Sequence, residues 1–241
     1  MSKIALITGG NKGIGFETAR QLAQKDIHVI VAARDRAKGE DAAKKLQAEG
    51  LAAEALLLDV THAASIEAAV KDVAHKHGHL DILINNAGVM LDKPELKASG
   101  QPMETWRQTF ETNVFGLIAV TQGFLPLLRK STAGRIVNLS SILGSMTYHS
   151  TPGSPIYGYA VTSYNVSKSA VNAWTAQLAY ELKDSMVKVN AAHPGHVKTD
   201  MGGDAAPMEI TDGAKTSVRL ALLPADGPNG GFFHLGESLP W

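Results

Sequence analysis

The chain of 241 residues contains no cysteine. Disulfides, thiol nucleophiles and cysteine metal sites are therefore excluded. It has no excess charge of either sign, 23 basic residues balancing 23 acidic ones. No broad basic field is available to hold nucleic acid. No apolar run approaches the roughly 20 residues of a membrane span. Met1-Ser2-Lys3-Ile4 leads directly into an apolar run, leaving no room for a signal peptide. Internal repeats, charge blocks and low-complexity linkers are also missing. These absences predict a single domain over residues 1–241, soluble and cytoplasmic, without nucleic-acid or membrane partners.

Short apolar runs alternate with helical patterns along the whole chain. Ile4 to Thr8, Val29 to Ala33, Ala55 to Leu58, Ile82 to Asn85, Ile136 to Ser140 and Val187 to Ala192 read as strands covered on both faces, with a short seventh at Phe232 to Leu235. Gly15 to Gln24, Arg36 to Glu49, Ser65 to His77 and Tyr164 to Leu182 read as helices. Strand–helix alternation predicts right-handed βαβ crossovers, hence an α/β fold: a doubly wound parallel sheet of the Rossmann kind with helices on both faces. Ser145 to Ser163, with Pro152, Gly153, Pro155 and Gly158, reads as a loop, and so does Asp200 to Asp212.

The first strand runs into Thr8-Gly9-Gly10-Asn11-Lys12-Gly13-Ile14-Gly15, and a helix follows. Glycines permit a tight turn and close approach of a ligand. The helix start offers free N–H groups and a positive dipole end to a pyrophosphate. A glycine-rich turn without a ligand is the other reading, but the position after the first strand and before the first helix is the one dinucleotide binding requires. NAD-binding sheets usually end the second strand in an acid that bonds the ribose 2′-hydroxyl. Here Ala33 holds that place and Arg34 follows. A guanidinium there suits a 2′-phosphate, and Lys12 and Lys38 can add charge. Asp35 is a competing partner for the ribose. The balance predicts NADP(H).

Tyr164-Asn165-Val166-Ser167-Lys168 places a phenol and an ammonium four residues apart, on one face of a helix. A nearby ammonium is expected to lower the phenol's pKa, suiting it to exchange a proton with a carbonyl or alcohol oxygen. A plain helix-surface contact is equally compatible with this spacing alone. His75, His77 and His79 cluster at a helix end, where positive charge suits the dipole. No convergent histidine–carboxylate spacing accompanies them, so no metal site is expected.

Taken together, these motifs resemble the short-chain dehydrogenase/reductase family over nearly the whole chain. Thr8 to Gly15 is similar to its cofactor turn, and Asp59-Val60 to its adenine-binding position. Asn85-Asn86-Ala87-Gly88 resembles the segment beside the adenine ribose. Asn113 in Glu-Thr-Asn-Val resembles the family's helix asparagine. Ser140-Ser141 is similar to its catalytic serine segment, Ser141 being the better candidate. Tyr164 and Lys168 fit its active tyrosine and lysine, and Pro194-Gly195-His196-Val197-Lys198-Thr199 its turn over the nicotinamide. Gly10 to Gly13, Ala33-Arg34-Asp35, Thr199 to Gly202 and the ending Gly230-Gly231-Phe232-Phe233 resemble the NADPH-dependent carbonyl reductases of that family.

The resemblance implies NADPH-dependent reduction of a small aldehyde or ketone. It casts Tyr164 as proton donor, Ser141 as the carbonyl's hydrogen-bond partner, and Lys168 as ribose ligand and tuner of Tyr164. Asn113 would hold a proton-relay water. Gly9, Asn11, Lys12, Gly13, Ile14, Gly15, Arg34, Asp59, Val60, Asn86, Ala87, Gly88, Pro194, Gly195, Val197 and Thr199 would contact the cofactor. An alcohol dehydrogenase, a 3-oxoacyl reductase and a non-catalytic NADP sensor are the alternatives. The interval between Ser141 and Tyr164 is longer than is usual in the family but often shorter than in the carbonyl reductases, which leaves monomer and homo-oligomer both open. Met146, Tyr148, Tyr157, Met201 and Met208 suggest an apolar, adaptable substrate pocket.

Overall fold

A computed structural model describes residues 2–241. Eight strands form one sheet in the order β3-β2-β1-β4-β5-β6-β7-β8. They are β1 (Ile4–Thr8), β2 (His28–Ala33), β3 (Ala53–Leu57), β4 (Ile82–Asn85), β5 (Arg135–Leu139), β6 (Lys188–Ala192), β7 (Phe232–His234) and β8 (Glu237–Ser238). All neighbours pair in parallel except β7 with β8. The strand order reverses between β1 and β4, and the crevice beyond the carboxyl ends at that point is where such sheets take their ligands.

Eight α-helices accompany the sheet: α1 (Gly13–Ala23), α2 (Arg36–Ala48), α3 (Ala63–His77), α4 (Met103–Phe110), α5 (Leu117–Leu128), α6 (Met146–Ser150), α7 (Thr162–Glu181) and α8 (Ile210–Ala221). Continuous apolar strands bury both faces, and each face carries its own core. On one, Leu6, Ile30, Leu83 and Ile136 pack against Val73 of α3, Phe124 of α5 and Leu178 of α7. On the other, Ile7, Val31 and Ile84 pack against Leu22 of α1, Leu46 of α2 and Val218 of α8. Phe124 is completely buried, worth about 1.5–3 kcal/mol relative to exposure. No helix of the described residues is long and apolar enough to cross a membrane.

The doubly wound parallel sheet is as expected through β7, and one strand is added to it: Leu235 and Gly236 both have positive φ, 47° and 99°, and make a two-residue hairpin loop that returns β8 antiparallel against β7. Two expectations need correction. The segment from Ser145 to Ser163 is not all loop. Ser145 Oγ accepts from Tyr148 N–H at 3.2 Å and caps the short α6, while α7 begins at Thr162. The segment from Asp200 to Asp212 likewise ends in the first turn of α8, and Met208 bridges to Val197.

Candidate active site

The glycine turn leaves β1 at the switch point. Thr8 Oγ1 accepts from the N–H groups of Asn86 and Ala87, both at 3.0 Å. Asn86 Nδ2 donates back to the carbonyls of Thr8 at 2.8 Å and Gly9 at 3.1 Å. The end of β4 therefore clamps the turn. Lys12 precedes α1 and provides no side-chain cap, so the helix's first N–H groups point outward without a side-chain acceptor. Gly13 has φ 55°. A side chain there would project into the space between the turn and Thr199, whose Cγ2 lies 3.5 Å from the ideal Cβ position. A pyrophosphate fits this cradle on both charge and space.

Arg34 is exposed just past β2 and Ala33 is buried before it. Asp35, the competing partner for a ribose, is the N-cap of α2. Its Oδ1 accepts from Lys38 N–H at 3.1 Å, and its Oδ2 lies 3.8 Å from Lys38 Nζ. The carboxylate is thus occupied locally, leaving Arg34 as the charge at the rim. Lys12 is engaged elsewhere, paired with Asp200 at 2.5 Å across the mouth of the cradle. Asp59 Oδ1 accepts from Thr61 N–H at 2.9 Å and Thr61 Oγ1 at 2.7 Å. Burial pushes its carboxyl up, but those two bonds and the positive charge of His62 and Arg34 outweigh it and hold it below the usual value. Val60 lies next to it, and its carbonyl limits the room at Gly116 ahead of α5.

Ser141, Tyr164 and Lys168 come together at the carboxyl edge of β5. Ser141 begins a short turn, Ile142–Gly144, which is tied to α7 through Gly144 O. That oxygen accepts from Ser169 Oγ at 3.0 Å and Asn172 Nδ2 at 3.1 Å. Ser140 Oγ is spent on Asn172 Oδ1 at 2.6 Å, whereas the Ser141 hydroxyl faces Tyr164. Burial pushes the Tyr164 phenol up to about 12, with the Ser141 hydrogen bond acting in the opposite direction. The expected lowering by the lysine is therefore overturned. Lys168 Nζ lies 5.5 Å from the centre of the Tyr164 ring and donates to Leu139 O at 2.7 Å. Burial pushes that ammonium down to about 8.

Asn113 is fully buried inside a single wide π-type turn, Glu111–Gly116, an irregularity common at functional sites. Its Oδ1 accepts from Val89 N–H at 2.8 Å, and its Nδ2 donates to Val89 O at 2.9 Å and Ser167 Oγ at 3.0 Å. Gly88 lies between Asn113 Oδ1 and Lys168 Nζ, 3.4 and 3.7 Å from its ideal Cβ position.

The turn after β6 faces this cluster. Gly195 has φ 94°, a backbone conformation that strains any side chain, and a Cβ on it would sit 2.1 Å from Met208 Sδ and force that side chain to move. Lys198 N–H and Met208 O pair at 2.9 Å, and Met208 N–H and His196 O at 3.1 Å. Thr199 Oγ1 accepts from Gly202 N–H at 3.2 Å. The His193 and His234 rings meet at 4.8 Å between centres, tilted by 39°. Burial, helped by His234, lowers its pKa to about 3, so it is a neutral packing residue behind Pro194.

Sequence reasoning missed Asp92. Its carboxylate accepts from Ser163 N–H at 2.8 Å, Ser163 Oγ at 2.7 Å and Tyr164 N–H at 3.0 Å. Helix α7 has no side-chain cap from Val161, and Asp92 supplies one from a distant loop. Nothing local in the sequence announces it. His75, His77 and His79 do not converge. His75 is exposed, His79 Nε2 meets Asp81 at 3.2 Å, and His77 meets Glu54. The Glu54 carboxyl is held down to about 2, first by a hydrogen bond from His28, against the opposing effect of burial, and with help from His77.

Known proteins are similar to this chain in sequence and fold. The family model described as short chain dehydrogenase matches residues 3–210. Short-chain dehydrogenase anuI of Penicillium roqueforti (strain FM164) is 39% identical over 228 residues, covering 90% of this chain and 88% of that protein. Carbonyl reductase (NADPH) 1 of Rattus norvegicus is 32% identical over 277 aligned positions, covering 99% of this chain and 98% of that enzyme. Because those 277 positions exceed the 241 residues available here, the rat enzyme carries residues this chain lacks. The crystal structure of NADPH-bound carbonyl reductase from chicken fatty liver superposes with a TM-score of 0.86 at 27% identity, over 100% of this chain and 99% of that one. This chain belongs to the short-chain dehydrogenase family.

Proposed function

We propose that the protein is an NADP(H)-dependent carbonyl reductase acting on aldehydes or ketones with apolar substituents. The observation that carries this reading is the buried Tyr164 phenol, facing the Ser141 hydroxyl with the Lys168 ammonium beside its ring. When bound, the nicotinamide cofactor supplies the hydride. The glycine turn, with Gly9, Asn11, Gly13, Ile14 and Gly15, would hold the pyrophosphate at the start of α1. Arg34 would meet the 2′-phosphate, with Lys12, paired with Asp200, as a second cation. Asp59 and Val60 would border the adenine, and Asn86, Ala87 and Gly88 its ribose. Pro194, Gly195, Val197 and Thr199 would orient the nicotinamide.

Tyr164 is the proton donor. A phenol held at about 12 stays protonated at working pH, the form a reduction requires. Ser141 donates a hydrogen bond to the carbonyl oxygen as negative charge develops there. Lys168, charged below about 8, stabilises the phenolate that forms and returns its proton. Asn113 fixes Val89 and Ser167 around Lys168, where a water would carry the proton to solvent. Met146, Tyr148, Tyr157, Met201 and Met208 would supply the apolar rim that selects substrate, and Met146, Tyr157 and Met201 are exposed.

The test is NADPH consumption by the purified protein with a panel of aldehydes and ketones, run beside Tyr164→Phe. Turnover by the wild type and its near loss in the variant are expected, with NADPH binding retained in both. NADPH binding without reduction of any panel member would favour a non-catalytic sensor instead.

A further inference from the structure

The edge of the sheet opposite the active site holds a cluster that the reaction does not use. His28 opens β2, and Glu54 is the second residue of β3. Alternation along the strands puts His28 on the same face as Ile30 and Ala32, and Glu54 on the same face as Leu56 and Leu58. Those four apolar residues belong to the core shared with α3, so His28 and Glu54 also turn toward α3. The last residue of that helix, His77, completes the group.

Three potential ligand atoms converge there, all within 4.8 Å of one another. Glu54 Oε1 lies 2.5 Å from His77 Nε2 and 3.4 Å from His28 Nε2. The two imidazole centres are 5.4 Å apart. The side chains are half-buried, exposed by 28% for His28, 27% for Glu54 and 17% for His77, so the cluster is open to solvent on one side. Glu54 Oε2 is separately occupied by Lys76 Nζ at 3.7 Å, itself anchored to Asp72 at 2.9 Å. That outer pair orients the carboxylate and leaves Oε1 facing the imidazoles.

We propose that His28, Glu54 and His77 form a site for a divalent transition-metal cation of the Zn²⁺ type. Two imidazole nitrogens and a carboxylate oxygen suit zinc rather than magnesium or calcium, which prefer oxygen alone. Three protein ligands leave the fourth position to water. Ligand atoms about 2.1 Å from a tetrahedral zinc stand about 3.4 Å apart. The His28–Glu54 spacing already meets this, and His77 opens slightly as the metal replaces the protons bridging the cluster. The site ties the edge strand β3 and its neighbour β2 to the end of α3. Chain spacing hides it, because sheet register is what brings the residues together.

The experiment uses the full chain, stripped with chelator and titrated with Zn²⁺ at neutral pH, followed by calorimetry and thermal melting. One equivalent bound with a rise in melting temperature is expected. His28→Gln, Glu54→Gln and His77→Gln each weaken binding at least about tenfold, and His75→Gln leaves it unchanged. Circular dichroism and NADPH binding report whether each variant folds. The imidazole C–H NMR resonances of the wild type, read without any substitution, shift for His28 and His77 on adding Zn²⁺. Absence of stoichiometric binding, binding that survives all three substitutions, or shifts confined to other histidines would overturn the proposal.

Discussion

Replacing Asp92 with alanine tests whether Tyr164 is held in place from outside its own helix. The carboxylate accepts three hydrogen bonds at the start of α7, one of them from the Tyr164 backbone N–H itself. Loss of an N-terminal cap costs about 0.5–2 kcal/mol. In a chain of this size each kcal/mol lowers the melting temperature by about 2–4 °C, so a fall of about 1–8 °C is expected. The consequence for turnover is larger, because the first turn of α7 aims the phenol. Displacement by about 1 Å costs up to about a hundredfold in rate. Stopped-flow and steady-state assays should show kcat reduced at least about tenfold, with KM for NADPH nearly unchanged because the glycine turn is untouched. Asp92→Asn keeps an acceptor oxygen and should restore much of the lost rate. A variant with unaltered kcat, or one whose loss lies wholly in KM for NADPH, would refute the positioning role.

Two further outcomes follow from the charges around the site. Arg34→Ala should raise KM for NADPH about tenfold or more, as loss of a charge-assisted contact implies, while leaving NADH kinetics unchanged; an equal effect on both cofactors would contradict the 2′-phosphate assignment. Burial lowers the Lys168 pKa from 10.5 to about 8. Between those values the unfolded chain binds more protons than the folded one, so this group makes stability rise with pH across that window. Urea unfolding from pH 8 to 10 should therefore show a steeper rise for the wild type than for Lys168→Met, and parallel curves would contradict the burial.

What the sequence disclosed was whatever local pattern determines. Seven strands and the glycine turn were legible because apolar runs and Gly13 act within a few residues. The resemblance prefers Ser141 over Ser140; in the fold Ser140 Oγ is engaged by Asn172, whereas the Ser141 hydroxyl faces Tyr164. The strand β8 was not legible, since two residues carry no period and its hairpin depends on positive φ at Leu235 and Gly236. The direction of the Tyr164 pKa is not legible in the sequence, because spacing reveals a neighbouring charge but not burial, and here burial is the larger effect. Asp92, and the meeting of His28 with Glu54 and His77, depend on tertiary contacts between distant segments, which leave no mark along the chain.

The most direct test of the account is to supply NADPH deuterated at the transferring position of the nicotinamide, with an apolar ketone that the wild type reduces. The account predicts an alcohol carrying one deuterium on its carbinol carbon, formed by the wild type and nearly absent with Tyr164→Phe, although the variant still binds the cofactor. An alcohol without deuterium, or undiminished transfer in the variant, would contradict it.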